Sequence, residues 1–175
     1  MSANIRAQRQ PSPADDRPLR VCVVGSGKHF LSGISYYTMM LANALSRRYR
    51  VSSILMRRLL PAFLYPGRKR IGQPLAALEF DPSVRVVDGV DWYWRGMGRA
   101  AAFLLRERPD VLILQWWTGT VLHSYIALAL LAKLLGARVV VEYHEVLDTG
   151  EAKKAWAQRY VELLIPLLTR LSDGT

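Results

Sequence analysis

Two glycines stand two residues apart at the end of an apolar run, Val21-Cys22-Val23-Val24-Gly25-Ser26-Gly27, and a third, Gly33, opens a stretch with helical periodicity. A strand, a glycine turn and a helix start bring backbone N–H groups and the positive end of a helix dipole to one place, a seat for an anionic ligand. The turn is not a P-loop, because Phe30 and Leu31 follow Lys28 where a magnesium-binding hydroxyl would be needed. Nor is it a full dinucleotide fingerprint. Phe30 takes the third glycine position, and the second strand ends in Arg57 and Arg58 where an acid would hold an NAD ribose. Those arginines suit an NADP 2′-phosphate, so an NADP-binding oxidoreductase stays open. Trp116 and Trp117 follow a further apolar run and offer ring faces to a sugar or lipid acceptor, or to the core. His29, His123 and His144 include no pair three or four residues apart, so spacing predicts no metal site. Cys22, the one cysteine, lies in an apolar run and reads as a packed core thiol.

Alternating strands and helices must position these groups. Helical spacing predicts a helix from Ile34 to about Arg47, with Ile34, Tyr37, Leu41 and Leu45 as its apolar stripe. Strands are expected at Arg20 to Val24, Val51 to Met56, Val84 to Val87, Asp110 to Gln115 and Ala137 to Glu142. The intervening helices run over Trp92 to Arg106 and Val121 to Leu135, the second closed by Gly136. A last helix, Glu151 to Leu171, carries Trp156, Tyr160, Leu164, Leu167 and Leu171 on one face, and Pro166 is expected to kink it. Right-handed crossovers turn this alternation into a single doubly wound parallel sheet with helices on both faces, an α/β fold. Ligands in such folds sit beyond the carboxyl ends of the strands. The loops 25–33, 116–120 and 143–150 therefore share one edge.

With 175 residues, 51% of them hydrophobic, the chain holds one domain with a real core. Residues 1–18 are polar and carry Pro11, Pro13 and Pro18, so they read as a disordered tail ahead of a domain over 19–175. No signal peptide is read, which points to a cytoplasmic location. Charge is uneven: 11 Lys or Arg and no acid lie between Arg17 and Leu78, and that stretch accounts for the net charge of +10. Within it, Leu59, Leu60, Phe63, Leu64 and Tyr65 lie between Arg57-Arg58 and Arg68-Lys69-Arg70, the composition of an interfacial membrane segment. A positive field of this kind attracts anionic membranes, nucleic acid or phosphorylated substrates, and a non-catalytic membrane-associated scaffold module is a further reading.

Several segments in order resemble the amino-terminal domain of family 4 retaining glycosyltransferases of the GT-B type. They are Val21-Cys22-Val23-Val24-Gly25, Ser32-Gly33-Ile34-Ser35-Tyr36-Tyr37-Thr38 with Leu41-Ala42-Asn43-Ala44-Leu45, and Arg108-Pro109-Asp110-Val111-Leu112-Ile113. Leu135-Gly136-Ala137-Arg138-Val139-Val140, leading to Tyr143-His144-Glu145, and Leu171-Ser172-Asp173-Gly174-Thr175 complete the set, which covers Leu19 to the end. The resemblance implies one Rossmann-like half of a two-domain hexosyltransferase, with a nucleotide sugar as substrate, no cofactor and a glycan or lipid-linked acceptor. Members acting on lipid-linked acceptors often bind membranes through the segment around Arg57 to Arg70, so the resemblance implies peripheral contact at the inner membrane face in preference to nucleic acid. It implies that Gly25, Gly27, Ser32 and Gly33 approach donor or acceptor, that Trp117 and Glu145 line the site, and that His144 hydrogen-bonds the transferred sugar. Glu145 and Asp148 could orient His144, and Asp148 could equally cap a helix. The sequence departs from the family where Tyr49-Arg50 replaces a Gly-His before the second strand. It also ends at Thr175, where the donor domain would begin, so the chain reads as either a split-enzyme subunit that acts with a separate donor-domain chain or a truncated product, and alone it is expected to be inactive.

Overall fold

The computed structural model describes residues 17–27, 33–59, 61, 79–144 and 153–175. The expectations for the amino-terminal tail up to residue 16, His29, Ser32, Arg68, Lys69, Arg70, Glu145 and Asp148 lie outside the described residues.

Five parallel strands form one sheet in the order β3-β2-β1-β4-β5. They are β1 (Arg20–Ser26), β2 (Arg50–Arg58), β3 (Arg85–Asp91), β4 (Val111–Trp116) and β5 (Arg138–Tyr143). The helices are α1 (Gly33–Ser46), α2 (Met97–Glu107), α3 (Leu122–Leu134), entered through a 3-10 turn at Gly119–Val121, and α4 (Ala155–Leu171). β1 is central, with Val21 opposite both Val51 and Val111, and Val24 opposite both Ile54 and Leu114. A strand flanked on both sides and covered on both faces needs a continuous apolar run, and Cys22, Val23 and Val24 are fully buried. Burial also pushes the Cys22 thiol up to about 12, so it packs and does not react.

α1 lies against β1 and β2, while α2 and α3 return across the opposite face and α4 rests on α3. The larger core, on the α2–α4 side, gathers Phe103, Leu104, Tyr125, Ala129 and Leu168 around the strands, and the α1 side keeps a smaller cluster of Ala42, Val51 and Val84. Ser172 to Gly174 fold back beside β5: the Asp173 N–H donates to the Val139 carbonyl at 2.7 Å and the Val141 N–H donates to the Gly174 carbonyl at 3.0 Å.

Three expectations need correction. The face of α1 against the sheet is Ile34, Ser35, Thr38, Met39 and Ala42, and Tyr37 is exposed. Small residues let the helix seat closely on β1, and this rotates Tyr37 toward the carboxyl edge. The third strand extends to Asp91, and residues 92–96 form a turn with Trp94 and Gly96 at positive φ, so α2 starts only at Met97. Gly96 is required there because a Cβ would lie 2.2 Å from the Gly89 carbonyl oxygen. The buried face of α4 is Ala157, Val161 and Leu168, with Tyr160, Leu164 and Leu171 against the core, whereas Trp156 and Leu167 face outward. α4 starts at Ala155 and runs through Pro166.

Candidate functional site

The strand order reverses direction between β1 and β4, which opens a crevice at their carboxyl ends. The Gly25–Gly27 turn, Gln115 to Trp117, Glu142 to His144 and the first turns of α1 all meet at this edge.

The three glycines placed in one class by sequence are physically different. A Cβ on Gly25 would lie 2.3 Å from Gln115 Oε1 and 2.4 Å from Thr38 Oγ1, so Gly25 is what lets α1 sit down on β1. Gly27 donates its N–H to the Met56 carbonyl at 2.8 Å, and its Cβ would crowd that oxygen and Asp88 Oδ1. A Cβ on Gly33, at the start of α1, would meet no atom of the described residues within 4 Å. Below the turn the Ser26 and Ser35 hydroxyls share a buried hydrogen bond of 2.6 Å.

A polar chain crosses the edge from α1 to β5. The Thr38 hydroxyl lies 2.5 Å from Gln115 Oε1 and 2.8 Å from the Ile34 carbonyl. Gln115 Nε2 donates to Glu142 Oε2 at 3.4 Å, and Tyr37 donates its hydroxyl to Glu142 Oε1 at 2.5 Å. That bond to a carboxylate holds the Tyr37 phenol above its ordinary range. His144 is fixed from three sides. Its backbone N–H donates to the Trp116 carbonyl at 2.9 Å, its Nε2 lies 3.7 Å from Glu142 Oε2, and its ring meets Tyr37 edge-on with centroids 4.9 Å apart. An accessible imidazole backed by a carboxylate can hydrogen-bond a ligand hydroxyl and stabilise charge that develops beside it. Sequence reasoning missed Tyr37, Gln115 and Glu142. The signal was present: Gln115 and Glu142 are register partners, each a polar residue one position from the carboxyl end of a strand whose middle is apolar.

Trp116 is buried in the core, edge-on to Tyr125, while Trp117 is half-buried against the same core. At the β2–β3 side Arg57 Nε donates to Asp91 Oδ1 at 3.0 Å and a second guanidinium N–H donates to Asp91 Oδ2. Burial pushes the Asp91 carboxyl up, but hydrogen bonds from Arg57 and Tyr93 and the charges of Arg57 and Arg58 outweigh it and hold the group below the usual carboxylate range. The expectation that Arg57 offers its charge to an outside phosphate or lipid is thus met by an internal partner. Arg58 is exposed and donates to the Tyr93 hydroxyl at 3.3 Å. His123 bridges Tyr160 and the Trp92 carbonyl, each at 2.7 Å, and burial pushes its pKa down. Among the described residues no group of three or more His, Cys, Asp or Glu is placed to hold a metal, and no helix is long and apolar enough to cross a membrane.

Residues 32–174 match the glycosyl transferase 4-like domain family. No curated protein matches the chain. Among solved structures, an isochorismatase-like hydrolase from Alkaliphilus metalliredigens is similar at 12% identity, over 90% of this chain and 93% of that one, with a TM-score of 0.41. A likeness that loose has no bearing on function.

Proposed function

The chain belongs to the glycosyl transferase 4-like family, and from that premise we propose that it forms the acceptor-side wall of a sugar-transfer site and works with a second domain that binds a nucleotide sugar. The observation that carries the proposal is His144, held at the crevice by the Trp116 carbonyl, Glu142 and Tyr37. In this reading His144 hydrogen-bonds hydroxyls of the transferred sugar and, with the Glu142 carboxylate behind it, stabilises charge developing at the reacting carbon. Gly33 leaves room for close approach of the donor, and Ser32 supplies a hydroxyl beside it. Trp117 and Glu145 contact a glycan or lipid-linked acceptor. Arg58, with Arg68, Lys69 and Arg70, contacts an anionic membrane surface. An NADP-binding role is less well supported, since Arg57 already spends its guanidinium on Asp91.

The test combines the 175-residue chain with a family donor domain, a panel of nucleotide sugars, and glycan and polyprenyl-phosphate acceptors. Transfer is expected from the pair and not from the chain alone, and His144→Ala should lower kcat about a hundredfold, the loss typical of removing one preorganised hydrogen-bonding group. Transfer unaffected by His144→Ala, with the fold intact by circular dichroism, would remove the residue from the mechanism.

A further inference from the structure

A second concavity opens at the same carboxyl edge, on the α3–α4 side of the sheet and so on the face opposite α1. It measures about 230 Å³ and is walled by Pro61, Trp92, Thr120, His123, Trp156, Ala157 and Tyr160. Its polar wall atoms are already engaged. The Thr120 hydroxyl donates to the Leu59 carbonyl, His123 Nε2 faces the Trp92 carbonyl, and Tyr160 Oη faces His123 Nδ1. A neutral imidazole with its proton on Nε2 satisfies all of these at once, and the depressed pKa of His123 keeps it in that form at neutral pH. What remains toward the cavity is ring faces, a methyl group and a proline ring.

Such a lining does not suit a sugar, whose hydroxyls would find no partners. It suits hydrocarbon: a dry cavity of about 150 Å³ already admits benzene, whereas whole drug-sized ligands occupy roughly 300 Å³ or more. One wall is open, since Trp156 stays 54% exposed although it borders the cavity. Basic residues accompany two of the wall residues, Trp92 and Trp156. Arg58 accepts the Trp92 N–H at its carbonyl, 2.8 Å away, its guanidinium donates to the Tyr93 hydroxyl at 3.3 Å, and the Tyr93 ring meets the Trp92 ring edge-on. Lys153 and Lys154, three and two residues ahead of Trp156, are exposed, and Asp91, next to Trp92 in the chain, is already paired with Arg57.

We propose that this cavity holds one alkyl or isoprenoid chain of an anionic amphiphile, with its phosphate on Arg58 and Lys154. Identifying that amphiphile as the acceptor rests on the transferase reading given above; binding of the chain does not.

The probe is decyl phosphate below its micelle concentration, titrated by calorimetry into the purified chain, with inorganic phosphate and decyl glucoside as controls. Saturable binding of decyl phosphate is expected, with inorganic phosphate at least tenfold weaker. Trp156→Ala should weaken decyl phosphate about tenfold by removing an apolar wall, and Arg58→Gln should weaken decyl phosphate severalfold while leaving decyl glucoside unchanged. Ala157→Met, which fills the cavity, should abolish binding of both detergents. Absence of saturable binding, or binding untouched by both Trp156→Ala and Ala157→Met, overturns the proposal. Equal affinity for decyl glucoside and decyl phosphate overturns its anionic part. Loss of the chain site while His144→Ala still cripples transfer would leave the transferase reading standing, and decyl phosphate binding without transfer from any donor domain would do the reverse.

Discussion

Asp91 has no accessible surface, and it remains ionised there because Arg57 donates two hydrogen bonds to it from the end of the neighbouring strand. Removing the charge strands a half-buried guanidinium. Asp91→Asn should destabilise the chain by about 2 kcal/mol, less than the roughly 3–5 kcal/mol of a fully enclosed pair because water reaches Arg57. The sign with pH follows from the depressed folded-state pKa: the contribution is fully present above the ordinary carboxylate range and is lost as pH falls through the folded value. Urea unfolding from pH 7 to pH 3 should therefore show a shallower acid limb in Asp91→Asn than in the parent, with Asp81, Asp110 and Asp173, also held low, supplying the slope that remains. At the crevice, Glu142→Gln should return the Tyr37 phenol toward its ordinary range, read by NMR titration of ring-labelled tyrosine; a Tyr37 pKa that does not fall would detach it from Glu142. Neither pair was legible in the sequence, since the partners lie 34 and 105 residues apart and only the strand register brings them together.

The placing of α1 decides which of its residues serve the crevice. Apolar spacing alone directs Ile34, Tyr37, Leu41 and Leu45 inward, but close seating of a helix on a strand favours small residues, and Ser35, Thr38 and Ala42 take the contact above Gly25. The same turn of the helix frees Tyr37 for Glu142 and His144. Periodicity thus located the element correctly and misjudged its rotation, because it ranks hydrophobicity and not the distance between backbones. Gly25→Ala should cost about 1–3 kcal/mol, the usual penalty for overpacking, as Thr38 and Gln115 are forced apart. Gly33→Ala should change stability by no more than about 0.5 kcal/mol, as at an open position, yet lower transfer in the reconstituted pair if donor atoms pack there. Thermal melts and transfer rates on the two variants separate a glycine needed by the fold from one needed by a ligand; equal loss of stability in both would erase the distinction.

Over the whole molecule, the basic block of the first half is partly neutralised by acids from the second. Arg20 and Arg17 meet Asp110, Arg57 meets Asp91, and Arg50 reaches Glu107 at 3.8 Å. Clustering along the chain overstated clustering in space, because parallel crossovers bring late acids to the ends of early strands. The doubly wound order was legible from the alternation of apolar runs, whereas the charge map needed the strand order to be known. Any membrane contact by this domain must then depend on the cations that the sheet does not consume. Replacing Arg58, Arg68, Lys69 and Arg70 with Ser should reduce cosedimentation with phosphatidylserine vesicles by tenfold or more, at up to roughly 1 kcal/mol per basic residue near an anionic surface, and raised salt should abolish what remains. Arg57→Ser should instead leave vesicle binding unchanged and lower the melting temperature, since its work is on Asp91. The reverse pattern, vesicle binding lost with Arg57 and kept without the other four, would mean that the ion pair opens at the membrane and that the arginine is a lipid ligand after all.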